Sequence, residues 1–206
     1  MPWLAVNRLK PPQPLVLFHR FRTVRWTVTL SLLAVLLSPT AQAEDPGRVW
    51  LLVDGDRREL RVMRAEDTLA VYPGIAVGRS GIGDKARRGD DVTPVGRYRI
   101  AYLKPESRFR RFYGFDYPGR HDARRALDDG RIDQPTFDQI IAAHDRGEMP
   151  PQHTPLGGFV GIHGLGSGSP EVHKRFNWTR GCVALTNEQI DDLAGWVGEG
   201  TVVVVR

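Results

Sequence analysis

The chain has 206 residues and a single cysteine, Cys182. One cysteine excludes a disulfide framework within the chain and leaves a lone thiol to be explained. No second cysteine and no His-Glu-x-x-His helix is present to complete a usual zinc site, although His153, His163 and His173 recur every ten residues. Gly81-Ile82-Gly83 lacks the spacing and the following helix start of a phosphate-binding loop, so it reads as turn chemistry. Excess charge is also missing where it would matter. The formal net charge is +5, but residues 1–43 hold Arg8, Lys10, Arg20, Arg22 and Arg25 and no acid. Taking those five from the 29 basic residues leaves 24, against 24 acidic ones, for residues 44–206. That neutral remainder carries no electrostatic case for nucleic acid.

The leader accounts for the asymmetry. Arg20 to Arg25 form a positive region, Trp26 to Leu37 a mostly apolar run of twelve, and Ala41-Gln42-Ala43 a small-x-small step before Glu44. This is the layout of a secretory signal peptide over residues 1–43, cleaved after about Ala43. A run of twelve falls short of the roughly 20 residues that span a bilayer, so an uncleaved anchor is the lesser reading. No twin-arginine pair precedes the run, and no cysteine follows it to take a lipid. Residues 44–206 are therefore expected to work as one domain outside the cytoplasm, in the periplasm or cell envelope, touching the inner membrane only through the leader.

The rest of the chain reads mainly as β structure. Arg48 to Asp54 and Glu59 to Met63 flank the Asp54-Gly55-Asp56 turn signal and form a hairpin. Thr68–Tyr72, Pro73–Gly78 and Arg97–Tyr102 add short strands, and the glycine-rich and charged stretch between Gly74 and Gly89 is loop. Closely spaced strands with Gly/Pro turns indicate a sandwich or barrel rather than alternating βαβ units. Two short helices interrupt at about 121–147. Asp122 to Asp129 ends at Gly130, and Asp133 caps a segment whose Phe137, Ile140 and Ile141 share one face. The pair is either a lid over a site or packing at the sheet's end. Leu165 to Asn177 reads as a flexible loop and polar stretch. Thr186 and Gln189 make a capping box for a helix after the cysteine, and Val202 to Val205 is a buried last strand.

An exported lone thiol is a nucleophile, an intermolecular bridge or a small buried hydrophobe. Two neighbours favour the nucleophile. Gly181 stands immediately before Cys182, and His163, nineteen residues upstream, lies between Gly161 and Gly164 where backbones approach closely. His121 and His144 lie at or within the helical insert and read as surface residues.

His163-Gly164 followed by a loop and Thr179-Arg180-Gly181-Cys182-Val183 resembles the YkuD-type L,D-transpeptidase catalytic domain of peptidoglycan enzymes. The Thr93-Pro94-Val95-Gly96 step and the short strands from Val49 onward are also similar, and the resemblance covers about residues 47–206. It departs in two places: Arg180 stands where many members have histidine, and the two-helix insert is not universal. The resemblance implies a mainly β, α+β fold: an L,D-transpeptidase-like sandwich or barrel with a two-helix insertion and a helix after the cysteine. It implies Cys182 as nucleophile, His163 as general base and acid, the Gly164 carbonyl as its orienter, and an oxyanion hole near Gly181. Trp178, Thr179 and Arg180 are expected to line the substrate. The implied partner is a peptidoglycan stem peptide, with no metal or other cofactor. The implied reaction is acyl transfer with loss of D-Ala, followed by cross-linking to an amine. Hydrolysis, attachment or release of a wall protein, and a non-catalytic wall-binding module stay open, as does the oligomeric state.

Overall fold

A computed structural model describes residues 47–206, so the expected leader lies outside the described residues. The backbone of the domain is an eight-stranded mixed sheet. Its strands are β1 (Val49–Asp54), β2 (Glu59–Arg64), β3 (Asp67–Pro73), β6 (Gly96–Ser107), β7 (Arg110–Phe115), β8 (Gly161–His163), β9 (Val183–Ala184) and β10 (Val202–Val205). Their spatial order is β3-β2-β1-β10-β6-β7-β8-β9. Strands β4 (Ile82–Gly83) and β5 (Thr93–Pro94) pair separately.

The Asp54-Gly55-Asp56 turn produces the expected hairpin, with Val53 opposite Leu60 and Asp54 opposite Glu59. The valine run of β10 inserts between β1, to which it is parallel, and β6, to which it is antiparallel. A strand paired on both sides buries backbone that β-branched side chains cover well. Val203 and Val205 enter the core, while Val202 and Val204 stay half-buried.

The β6–β7 hairpin matches no expected element beyond its first residues, although β6 is the longest strand of the sheet. Lys104, Glu106, Arg108, Arg110 and Arg111 interrupt the apolar pattern, and register shifts break the alternation twice. Conversely, Pro73–Gly78 is not a regular strand after β3. Gly74 turns at φ +74, and the segment passes β9 with only the isolated Ala76–Ala184 bridge before a Gly78–Thr179 bridge.

Helices α1 (Arg120–Asp128) and α2 (Gln134–Asp145) form the insert. Asp133 caps α2 by accepting from the Thr136 N–H at 3.0 Å. Ala123, Ala126, Phe137 and Ile140 join the central apolar cluster, so this pair is a packed wall. From it, Arg131 donates to the Ala86 carbonyl at 2.7 Å and Arg125 pairs with Asp84, which ties down the 84–91 loop. The stretch read as flexible contains one further short helix, α3 (Pro170–Arg175), capped by Ser169. Helix α4 (Asn187–Leu193) follows the cysteine, with the Thr186–Gln189 capping box formed in both directions.

Candidate active site

Strands β8 and β9 run parallel, pairing Ile162 with Val183 and His163 with Ala184. Side chains alternate along a strand, so His163 and Ala184 share a face, and Cys182 immediately precedes Val183, the first residue of β9. One strand pairing thus lays the two segments, nineteen residues apart in sequence, side by side.

His163 is only 2% exposed, stacked on Phe109 at 4.3 Å between ring centroids and met edge-on by Trp178 at 5.7 Å. Its Nδ1 lies 2.7 Å from the Gly164 carbonyl. A carbonyl only accepts, so Nδ1 carries the hydrogen and Nε2 keeps its lone pair. Burial among aromatic rings pushes the imidazole down to about 4, against a partial opposing pull from the Gly164 carbonyl. The half-buried Cys182 thiol is pushed up to about 11 by the same cause, with the Gly161 N–H and the Lys85 charge opposing. At neutral pH the thiol and the imidazole are thus both uncharged.

Glycines make this approach possible. A Cβ on Gly164 would stand 2.7 Å from Ile190 Cγ2 and 2.8 Å from the Phe109 carbonyl. Gly181 adopts φ +127, and a Cβ there would meet the Val92 carbonyl at 2.8 Å. The Gly181 N–H is already engaged, donating to Thr179 Oγ1 at 3.1 Å, and that hydroxyl donates in turn to the Cys182 carbonyl at 2.7 Å. Thr179, expected to line the substrate, is instead 3% exposed and spends its hydroxyl on shaping the loop. Arg180 is exposed at the mouth, and Trp178 is half-buried with its Nε1–H donated to His173 Nδ1 at 3.3 Å. The three regularly spaced histidines do not converge: His153 packs edge-on to Phe159, and His173 serves Trp178.

Four residues support the site in roles that the sequence did not show. Thr93, in the Thr-Pro step, donates to the Cys182 carbonyl at 3.4 Å. Phe159 holds φ +55, rare for a bulky residue, and its carbonyl accepts from Cys182 Sγ at 3.5 Å. Gln152 imposes that conformation by accepting the Phe159 N–H at 2.6 Å. Asn187 stitches the loop after His163 to the start of α4, accepting from the Leu165 and Gly166 N–H groups at 2.9 Å each and donating to the Gly166 carbonyl at 2.8 Å. Replacing Asn187 with Leu strands two backbone donors and is expected to cost about 2–3 kcal/mol, read as a lower urea midpoint.

The family model for the YkuD L,D-transpeptidase catalytic domain matches residues 48–205. The chain belongs to that family. Members of the L,D-transpeptidase family act on peptidoglycan stem peptides, which lie outside the cytoplasm. Among solved structures, the helical cell shape determining protein Pgp2 from Campylobacter jejuni is similar at 21% identity and TM-score 0.53, covering 77% of this chain and 47% of that one. Bd1075 of Bdellovibrio bacteriovorus is similar at 20% identity and TM-score 0.50, covering 78% and 48%. The chain thus spans about half the length of these structures, and the likeness establishes the L,D-transpeptidase fold. No curated protein matches the chain.

The depressed His163 also sets an acid limit on stability. The unfolded chain takes up a proton at this residue near pH 6.5, while the fold keeps the imidazole neutral to about 4. The folded state binds fewer protons between those values. Its contribution is complete above pH 6.5 and falls as pH drops toward 4, by about 3 kcal/mol in all. Half-buried Asp116 and buried Asp122, both raised by desolvation, pull the opposite way. The check is therefore a difference: a His163→Asn variant is expected to lose less stability than wild type between pH 7.5 and pH 4.5 in urea unfolding.

Proposed function

We propose that residues 44–206, exported by the 1–43 leader, act as a peptidoglycan L,D-transpeptidase through a Cys182–His163 pair. The observation that carries this reading is the neutral, aromatic-packed His163. Its Nδ1–H is spent on the Gly164 carbonyl, which leaves the Nε2 lone pair free to act as base, and β8 pairs with the strand that follows Cys182. Cys182 attacks the carbonyl that joins the L-centre of the third residue to the terminal D-Ala of a stem tetrapeptide. His163 takes the thiol proton and returns it to the leaving D-Ala amine, which leaves a thioester. The N–H of Cys182 is the oxyanion donor in the Gly181 region, because the Gly181 N–H is held by Thr179. An acceptor stem-peptide amine then attacks the thioester, and its proton passes through His163. Water in place of the amine makes the same site a carboxypeptidase, and a wall protein's amine makes it an attachment enzyme.

The decisive experiment is intact-mass measurement after incubation with disaccharide-tetrapeptide, together with analysis of released products. A mass increase equal to the donor less D-Ala, with free D-Ala in solution, is expected. Cross-linked dimers identify an amine acceptor, and tripeptide identifies water. A folded protein that binds wall fragments but forms no adduct and releases no D-Ala would replace this reading with a non-catalytic wall-binding module.

A further inference from the structure

Two cavities of comparable size meet at Phe159, a residue 51% exposed. One, of about 460 Å³, is lined by Tyr102, Phe109, Phe112 and charges of both signs, Lys104, Glu106 and Arg108. The other, of about 420 Å³, contains Cys182 and differs in kind: Lys85, Arg88 and Arg180 line it, and no Asp or Glu does. Lys85 is buried and its charge is met by Asp90. Arg88 and Arg180 are exposed and, among the described residues, have no carboxylate partner. The cavity therefore presents two unneutralised guanidinium groups beside the nucleophile.

Arg88 is held in place for this. Its N–H donates to the Pro155 carbonyl at 2.7 Å, its guanidinium to the Thr154 carbonyl at 3.4 Å, and its Cα would lie 3.6 Å from a Cβ on Gly157. Asp90 closes the turn that carries it, accepting from the Ala86 and Arg87 N–H groups at 2.8 and 3.0 Å. Arg131, from the helical insert, fixes the neighbouring Ala86 carbonyl. A guanidinium held by backbone contacts keeps its remaining N–H groups for a planar anion, the geometry in which Arg binds carboxylate best.

The geometry points to a carboxylate-reading subsite in which Arg88 and Arg180 bind a free carboxylate of the donor within a few atoms of the scissile bond. This rests on the acyl-transfer reading above and adds the residues that select the donor. Two carboxylates on a tetrapeptide donor have that chemistry: the one on the terminal D-Ala and the one on the side chain of a diamino-diacid third residue.

Three donors separate the sources: one with both carboxylates free, one amidated at its C-terminus, and one amidated on the third-residue side chain. The readouts are kcat/KM for release of the terminal residue by the purified protein, and calorimetric affinity of each donor for the Cys182→Ala variant. Masking the carboxylate that is read is expected to lower both in the wild-type cavity by about tenfold or more, the scale of one charge-assisted hydrogen bond. Arg88→Gln and Arg180→Gln are expected to weaken the free donor by a similar factor and to erase the penalty for that one amidation. Thermal unfolding of both variants checks that exposed-site changes leave the fold intact. The inference is overturned if neither amidation affects the wild-type protein, or if both variants keep the full preference. Absence of thioester and of turnover for every donor would count against the acyl-transfer reading alone, because the binding arm still reports on the subsite.

Discussion

Replacing Cys182 with alanine is expected to abolish thioester formation and to lower turnover by about 10⁴-fold or more, the usual consequence of removing a covalent nucleophile. Nothing among the described residues near the site can substitute. Thr179 is buried with its hydroxyl committed to the Cys182 carbonyl and the Gly181 N–H. Thr93 is likewise occupied, accepting from the Gly78 N–H at 2.8 Å and donating to the same Cys182 carbonyl. The side chain itself contributes little to the fold, because its recorded contacts are a long hydrogen bond to Phe159 and the Gly161 N–H at the sulfur. Circular dichroism and the urea midpoint of the variant should therefore match wild type to within about 1 kcal/mol. Intact-mass and D-Ala assays on that folded variant check the prediction. Surviving turnover would mean that the thiol is not the nucleophile.

The second large effect is at His163, and its signature is a pH profile. In the wild type the imidazole is neutral above about pH 4 and the thiol remains protonated until about pH 11. The rate of acylation is expected to be flat between roughly pH 5 and pH 9 and to fall tenfold per unit below 4, since kcat/KM reports the free enzyme's groups. A His163→Ala variant has no base to take the proton and must rely on the small thiolate fraction. With the thiol near 11, that fraction is about 10⁻⁴ at pH 7, so activity there should fall by about four orders of magnitude. It should then climb about tenfold for each unit of added pH, a slope the wild type lacks. A flat profile in the variant would show that His163 does not act as base. The cavity left among Phe109, Phe112 and Trp178 also lowers stability, so the slope rather than the absolute loss is the diagnostic reading.

Residue order carried much of this protein's character because several signals in it are local. The capping box at Thr186–Gln189, the Asp133 cap and the turn at Gly55 act over three or four residues, and each appears where its chemistry requires. Val202 to Val205 could be read as a buried strand because four β-branched residues in a row have few other stable uses. The lone cysteine beside a glycine, and the histidine bracketed by glycines, singled out the site for the same reason, since glycine there answers a steric demand of the immediate backbone.

What needed the tertiary structure was everything that depends on which distant backbone lies alongside. Beyond Tyr102 the β6–β7 hairpin was hidden because charges and bulges break its period, and pairing with β10 and β8 stabilises it. The insert proved to be a wall because Phe137 and Ile140 find the core, a match that local periodicity cannot distinguish from an exposed apolar face. Thr179, expected to line the substrate, is buried with its hydroxyl on the Cys182 carbonyl, because a hydroxyl beside a candidate nucleophile reads the same in sequence whether it faces a groove or the chain's own carbonyl. The His163 tautomer depends on one carbonyl at 2.7 Å, and the low imidazole pKa on rings contributed by β7, the loop before it and the Trp178 segment. Sequence named the candidate groups for the proposed chemistry. Only packing decided their protonation, their orientation and the company of Arg88, because burial and hydrogen bonding are properties of neighbours that the chain brings together from far apart.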